Sequence, residues 1–159
     1  IIELLYGTGI RLSELVNLKE TDVNSYEQYI KVLGKRNKER IIPINSTLFK
    51  LIQQYIISKR NINFGNISQA LIVIDNGEKV YPKFIYRKVK FYLSYISTHH
   101  KNSPHILRHT FATSLLNHGA DLNAIKELLG HNSLGATQIY TQNSVERLKS
   151  IYKLAHPKA

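Results

Sequence analysis

The chain of 159 residues is 43% hydrophobic and has no cysteine, which suits one domain with a core of its own and excludes disulfides, Cys-ligated zinc and thiol chemistry. Twenty-two Lys and Arg against eleven Asp and Glu leave a formal charge of +11, a field that attracts polyanions such as nucleic acid or an anionic membrane surface. No apolar run approaches the roughly 18 residues that cross a bilayer, and the basic residues are scattered rather than gathered on one amphipathic stretch, so a soluble, cytoplasmic protein with a folded nucleic-acid surface is expected.

In "IIELLYGTGIRLSELVNL", Ile1, Leu4 and Leu5, then Leu12, Leu15 and Leu18, recur at helical spacing around Gly7 and Gly9. This predicts two helices joined by a tight glycine turn, and the uncapped start at Ile1 reads as a segment of a longer protein. "QYIKVLGKRNKERIIPI" alternates Tyr29, Lys31 and Leu33 with Ile30 and Val32, then turns from Gly34 to Lys38, which predicts a β-hairpin with a basic tip. Leu48, Leu51, Ile52, Tyr55 and Ile56 mark the next helix. "ALIVIDNGEKVYP" predicts a short buried strand with a turn at Asn76-Gly77, and Pro82 opens a helix running to about Ile96.

Further on, Ser103 as N-cap, Pro104 and Gly119 delimit a helix with Ile106, Leu107, Phe111 and Leu115 as its apolar stripe. A second runs from about Asp121 with Leu122, Ile125, Leu128 and Leu129 inward and ends at Gly130. Ser133 caps a third that carries Tyr140, and Val145, Leu148, Ile151, Tyr152 and Ala155 stripe a last amphipathic helix. The expected fold class is α+β, mostly α-helical, with a small antiparallel sheet.

Several groups could do chemistry, each with a bland alternative. His105 and Arg108 share the first turns of one helix, where free N–H groups and the positive dipole end suit a phosphate and keep an imidazole neutral; taken alone, the pair is better accounted for by local capping or packing of His105 and an ion pair of Arg108. Arg11 follows the glycine turn with Glu14 three residues on, either a structural pair or a guanidinium fork oriented toward phosphate oxygens. His131 stands at the exit of the helix ended by Gly130. Tyr140 titrates near 10 when unperturbed and needs a base and positive charge to act as a nucleophile; alone it reads as a core or surface tyrosine. The basic hairpin (Lys35, Arg36, Lys38, Arg40) and the helix with Arg87 and Lys88 supply DNA-contact candidates. A zinc site from His99, His100, His105 and His109 is disfavoured, since Arg108 sits between the helical pair and no H-E-x-x-H pattern or Cys is present.

In chain order, Arg11, Glu14, Lys35, His105, Arg108, His131 and Tyr140 closely resemble the catalytic signature of the tyrosine recombinase (phage integrase) family, especially its Xer branch. The resemblance spans essentially the whole chain and is carried by "GTGIRLSEL", "VLGKRNKERIIPI", "PHILRHTFATSLLNHGADLNAIKELLGH" and "TQIYT". It departs at Gly135 and Ala136, where relatives often carry Ser or Thr, and at Gln142, where a histidine is common; these positions bear on DNA preference or partner docking.

The resemblance implies the DNA breaking-rejoining catalytic fold, with residues 1–159 as a C-terminal catalytic domain and the family's N-terminal core-binding domain outside this chain. It implies site-specific recombination in which Tyr140 forms a 3′-phosphotyrosyl bond. Arg11, Arg108 and His131 would then bind the phosphate, Lys35 would act as general acid, His105 as general base and Glu14 as support. No metal or cofactor is implied. Implied partners are double-stranded recombination sites and other protomers, four of which exchange strands through a Holliday junction at the nucleoid, with the last helix docked on its own domain or on a neighbour's. A non-catalytic DNA-binding module on the same fold and a type IB topoisomerase-like enzyme are the alternatives; the complete residue set speaks against the first, and the Xer-like motifs and C-terminal helix against the second.

Overall fold

A computed structural model describes residues 1–34, 38–63, 69–96, 102–130 and 142–157, without the side chain of Gln142. Lys35, Arg36, His99, His100, His131, Ser133 and Tyr140 lie outside the described residues. The elements are α1 (Ile2–Thr8), α2 (Leu12–Asn17), a 3-10 turn (Glu20–Asp22), β1 (Val23–Asn24), β2 (Tyr29–Leu33), β3 (Glu39–Pro43), α3 (Ser46–Asn61), α4 (Pro82–Ser94), α5 (Pro104–Asn117), α6 (Leu122–Leu129) and α7 (Gln142–Ala155).

Helix α5 organises the core because Leu107, Phe111 and Leu115 fall one turn apart on one face, all buried, and α1, α4, α6 and α7 close around it. Pro104 presets its first turn, and Ile106 N–H closes onto Ser103 O at 3.0 Å; the Ser103 side chain makes no capping bond. The glycine turn between α1 and α2 lies against Phe111. Gly9 has φ 60°, and a Cβ there would stand 2.4 Å from Phe111 Cδ1, so no larger residue fits this approach. In α6 the Asp121 carboxylate caps the helix by accepting from Asn123 and Ala124 N–H at 3.0 and 3.1 Å. Leu122, expected inward, is exposed at the first helical position, and Ala124 takes the buried place in the stripe. Leu51 of α3 is exposed likewise, while Leu48, Ile52 and Ile56 hold the buried side.

The sheet is antiparallel with order β1-β2-β3, and its first strand has no counterpart in the sequence reading. Ile30 pairs with Ile42 and Val32 with Arg40, so these four residues share the core face. The strand expected near Leu71 is not a ladder: one isolated bridge joins Ala70 to Lys19, and another, Val73 with Lys79, spans the turn at Asn76-Gly77. Its backbone bonds are dispersed, with Leu71 N–H on Leu18 O and Val73 N–H on the Tyr55 hydroxyl, which leaves no continuous partner strand. Leu71 and Val80 are nevertheless buried. Helix α7 packs on its own domain through Val145, Leu148, Tyr152 and Ala155, and the Tyr152 hydroxyl donates to Gly7 O at 2.8 Å. Burial raises the Tyr152 hydroxyl above its ordinary pKa. No helix among the described residues is long and apolar enough to cross a membrane.

Candidate active site

Arg11 is the N-cap residue of α2, and Glu14 is the third residue inside that helix. The Glu14 carboxylate accepts from Arg11 N–H at 2.7 Å and from Arg11 Nη1 at 2.8 Å, which is the Glu half of a capping box; an arginine side chain, a donor only, returns no bond. It also accepts Arg40 Nη1 and Nη2, one on each oxygen, both at 2.8 Å. Burial alone would raise this carboxyl; the Arg40 hydrogen bonds and charge, followed by the Arg11 bonds, outweigh burial and hold it at about 2.

The C-terminal end of α6 faces this group. The last carbonyls of a helix lack intrahelical partners and carry its negative dipole end. Here an arginine serves each of three in succession: Leu128 O accepts from Arg40 Nε at 2.7 Å, Leu129 O from Arg108 Nη2 at 2.7 Å, and Gly130 O from Arg11 Nη2 at 3.2 Å. Arg108 reaches back from α5 to donate through Nη1 to Gly9 O at 2.5 Å, tying the glycine turn to the same cluster. Gly130 closes α6 with φ 64°.

Two guanidinium groups thus hold one carboxylate, and a third, that of Arg108, stands within reach of its charge. Burial first, then repulsion from Arg11 and Arg40, brings Arg108 down to about 10 against the opposing pull of Glu14, so it stays charged at neutral pH. The Arg11 side chain is 32% exposed and Arg108 is half-buried, so both remain reachable by a ligand. Of the five N–H donors of a guanidinium, each uses Nη1 and Nη2 on the contacts above. An anion with several oxygens, such as a phosphodiester, suits the remaining donors and the surplus positive charge.

The structure therefore brings Arg11, Glu14 and Arg108 together. His105 is exposed on the first turn of α5, one turn before Arg108. Lys35, His131 and Tyr140 lie outside the described residues, although Gly34 and Gly130, which precede the first two, border the cluster. Among the described residues no group of three or more His, Cys, Asp or Glu could hold a metal ion.

The DNA-contact candidates divide. Arg87 and Lys88 are exposed on α4, with Arg87 Nη2 donating to the Tyr81 hydroxyl at 3.1 Å and Lys88 Nζ 5.5 Å from the Phe84 ring centre. Lys38 is exposed at the hairpin. Arg40 is a correction: it is 4% exposed, and its fork is engaged by Glu14 and Leu128 O, so it is not a surface cation offered to phosphate. The signal was present in "ERIIPI", where Arg40 stands two residues before the core residue Ile42 and so on the same strand face. What could not be read was the partner, Glu14, twenty-six residues away.

The model of the Phage integrase family matches residues 1–147. Tyrosine recombinase XerC of Chlorobaculum parvum is 42% identical over 164 residues, covering 100% of this chain and 49% of that protein. The crystal structure of XerA recombinase matches with a TM-score of 0.75 at 32% identity, over 99% of this chain and 57% of that one. XerH recombinase bound to palindromic difH substrate, a post-cleavage complex, matches with a TM-score of 0.70 at 27% identity, over 94% of this chain and 43% of that one. The chain spans about half the length of the curated relatives it matches.

Proposed function

This chain belongs to the phage integrase family, and from that premise we propose that it is the catalytic domain of a site-specific recombinase that cuts and rejoins DNA through a 3′-phosphotyrosyl bond on Tyr140. The observation that carries the reading is the convergence of Arg11 and Arg108 on the end of α6 around the single carboxylate of Glu14. Two permanently charged, partly exposed forks held by backbone carbonyls suit the non-bridging oxygens of a five-coordinate phosphorus, where negative charge builds up in the transition state.

The bonds and protons balance without water or a cofactor. Tyr140 Oη bonds to phosphorus as its proton passes to His105; the P–O5′ bond breaks, and the departing 5′-oxygen takes a proton from Lys35. The phosphodiester energy is kept in the tyrosyl ester, so a 5′-hydroxyl from another strand reverses the step and joins a new partner. His131 adds a third donor to the phosphate, and Glu14 holds Arg11 in place.

The DNA-bound XerH structure supports a duplex substrate for this chain as well. Lys35, Arg36 and Lys38 on the hairpin, and Arg87 and Lys88 on α4, serve as backbone contacts. The protein then works at the nucleoid, in a tetramer on paired sites. Arg87→Ala should weaken binding about equally across sequences and lower the salt slope by about one.

The deciding experiment is incubation with nicked suicide duplexes carrying candidate sites, read as an SDS-resistant protein–DNA adduct. The adduct is expected with the unsubstituted chain and lost in Tyr140→Phe with DNA binding retained. An adduct that persists in Tyr140→Phe overturns the assignment.

A further inference from the structure

Arg40 joins three parts of the chain through one side chain. Nη1 and Nη2 hold both oxygens of Glu14, Nε holds Leu128 O at the end of α6, and the residue itself is paired with Val32 within the hairpin. Two glycines border the fork, and one of them makes room for it. A Cβ at Gly130 would crowd Arg40, 3.0 Å from Nη1 and 3.1 Å from Cδ, whereas one at Gly34 would stand at an ordinary contact distance, 3.5 Å from Nη1. Gly34 immediately precedes Lys35 and Gly130 immediately precedes His131. A single buried guanidinium therefore underlies the hairpin stem leading to Lys35, the helix end leading to His131, and the carboxylate that orients Arg11.

We propose that Arg40 is a positioning residue for strand cleavage, one that sets Arg11 and the two glycine stems in register without touching DNA. The inference rests on the recombinase reading above. The geometry asks for a planar fork: Nε and the two Nη groups serve a carbonyl on one side and a carboxylate on the other, in fixed directions that a lysine, a flexible point charge, cannot reproduce. Supporting groups of this kind act through what they hold. Their loss typically slows a reaction by about 10- to 100-fold while leaving the ligand's own contacts in place.

The test compares the unsubstituted chain with Arg40→Lys, Arg40→Gln and Leu71→Ala. Leu71 is a fully buried loop residue outside the site, and its truncation controls for lost stability. Each is assayed at a temperature where its melting curve shows it folded, with saturating nicked DNA in a single turnover. Both Arg40 variants should cleave about 10- to 100-fold slower at unchanged DNA affinity, and Leu71→Ala should cleave at the unsubstituted rate. Adding Arg40→Gln to Arg11→Ala should cost less than the product of the two single losses, because the first acts partly through the second. Unsubstituted rates in the folded Arg40 variants, or a double variant that loses the full product, would overturn this inference alone. An adduct that survives in Tyr140→Phe removes the recombinase reading and this inference with it.

Discussion

Glu14 and Glu20 lie six positions apart, and each faces two cations. Glu14 meets Arg11 and Arg40, both at 2.8 Å; Glu20 meets Lys59 at 2.5 Å and Arg60 at 3.0 Å. In both, the carboxyl lies below its ordinary pKa because these cations outweigh the effect of burial. The Glu20 cluster is scaffolding: Lys59 is enclosed, its ammonium also donating to Ala70 O at 2.6 Å, and Arg60 extends into solvent with its side chain 66% exposed. That arrangement pins α3 to the 3-10 turn and to the segment near residue 70. In the Glu14 cluster the enclosed cation is a fork that fills both carboxylate oxygens, which leaves Arg11 part-exposed beside Arg108. A carboxylate between two cations makes a strut in one place and, in the function proposed above, part of an anion site in the other. What separates them is that part-exposed Arg11 has a second guanidinium, Arg108, held beside it on the end of α6, whereas Arg60 reaches solvent away from the enclosed Lys59.

That contrast can be broken from several directions. The largest effect belongs to Glu14→Ala, which strands buried Arg40 and should cost about 3–5 kcal/mol in urea unfolding. Lys59→Met replaces the enclosed ammonium by an apolar chain and leaves Glu20 with Arg60, for a cost of about 2 kcal/mol or less. If the two costs are equal, the clusters do not differ as described. The pH dependence has a definite sign. Glu14 is held at about 2 against an ordinary 4.5, so its stabilising contribution is complete above about pH 4.5 and lost as pH falls toward 2. Stability measured against pH should fall less steeply over that window in Glu14→Gln than in the unsubstituted chain.

Function should separate the clusters too. Arg11→Ala should slow adduct formation by about 100- to 1,000-fold, the scale of a lost transition-state donor, with only modest loss of stability. Gly130→Ala, with φ 64° and Arg40 at 3.0 Å from the new Cβ, should cost about 1–2 kcal/mol in the same unfolding assay. Smallest of all, Arg60→Ala should change stability by about 1 kcal/mol or less and leave cleavage unaltered, as expected of an exposed ion pair.

Much of the fold was legible where local chemistry decides it. Pro104, Asp121 and Gly130 bound α5 and α6 because proline, a capping carboxylate and a left-handed glycine each favour one backbone outcome whatever lies around them. The four-residue spacing of Leu107, Phe111 and Leu115 likewise exposed the core face of α5. Reading failed where long-range competition decides. The residues around Leu71 have strand composition but no continuous partner, and Leu122 has core composition but sits on the first turn of α6, where the stripe has not yet turned inward. In the site, the three-residue spacing of Arg11 and Glu14, and that of His105 and Arg108, could be seen, because helical neighbours are set by the helix itself. Arg40 was misjudged because a basic run reads as solvated until its partner across the fold is known.

By itself the sequence determined the basic character of the protein, the capped helices of its C-terminal half, and the residue types that a phosphate-directed site requires. Alternation in β3 pointed to the core face for Arg40, but tertiary structure decided which groups would pair it there and that Arg11 and Arg108 would stay part-exposed. That outcome depends on the end of α6 arriving beside α2 and β3, where three unpartnered helix carbonyls and one carboxylate can each be satisfied by a guanidinium. Burial of unpaired polar groups is costly, so the contacts that satisfy them fix the cluster, and no feature local to Arg40 specifies those contacts.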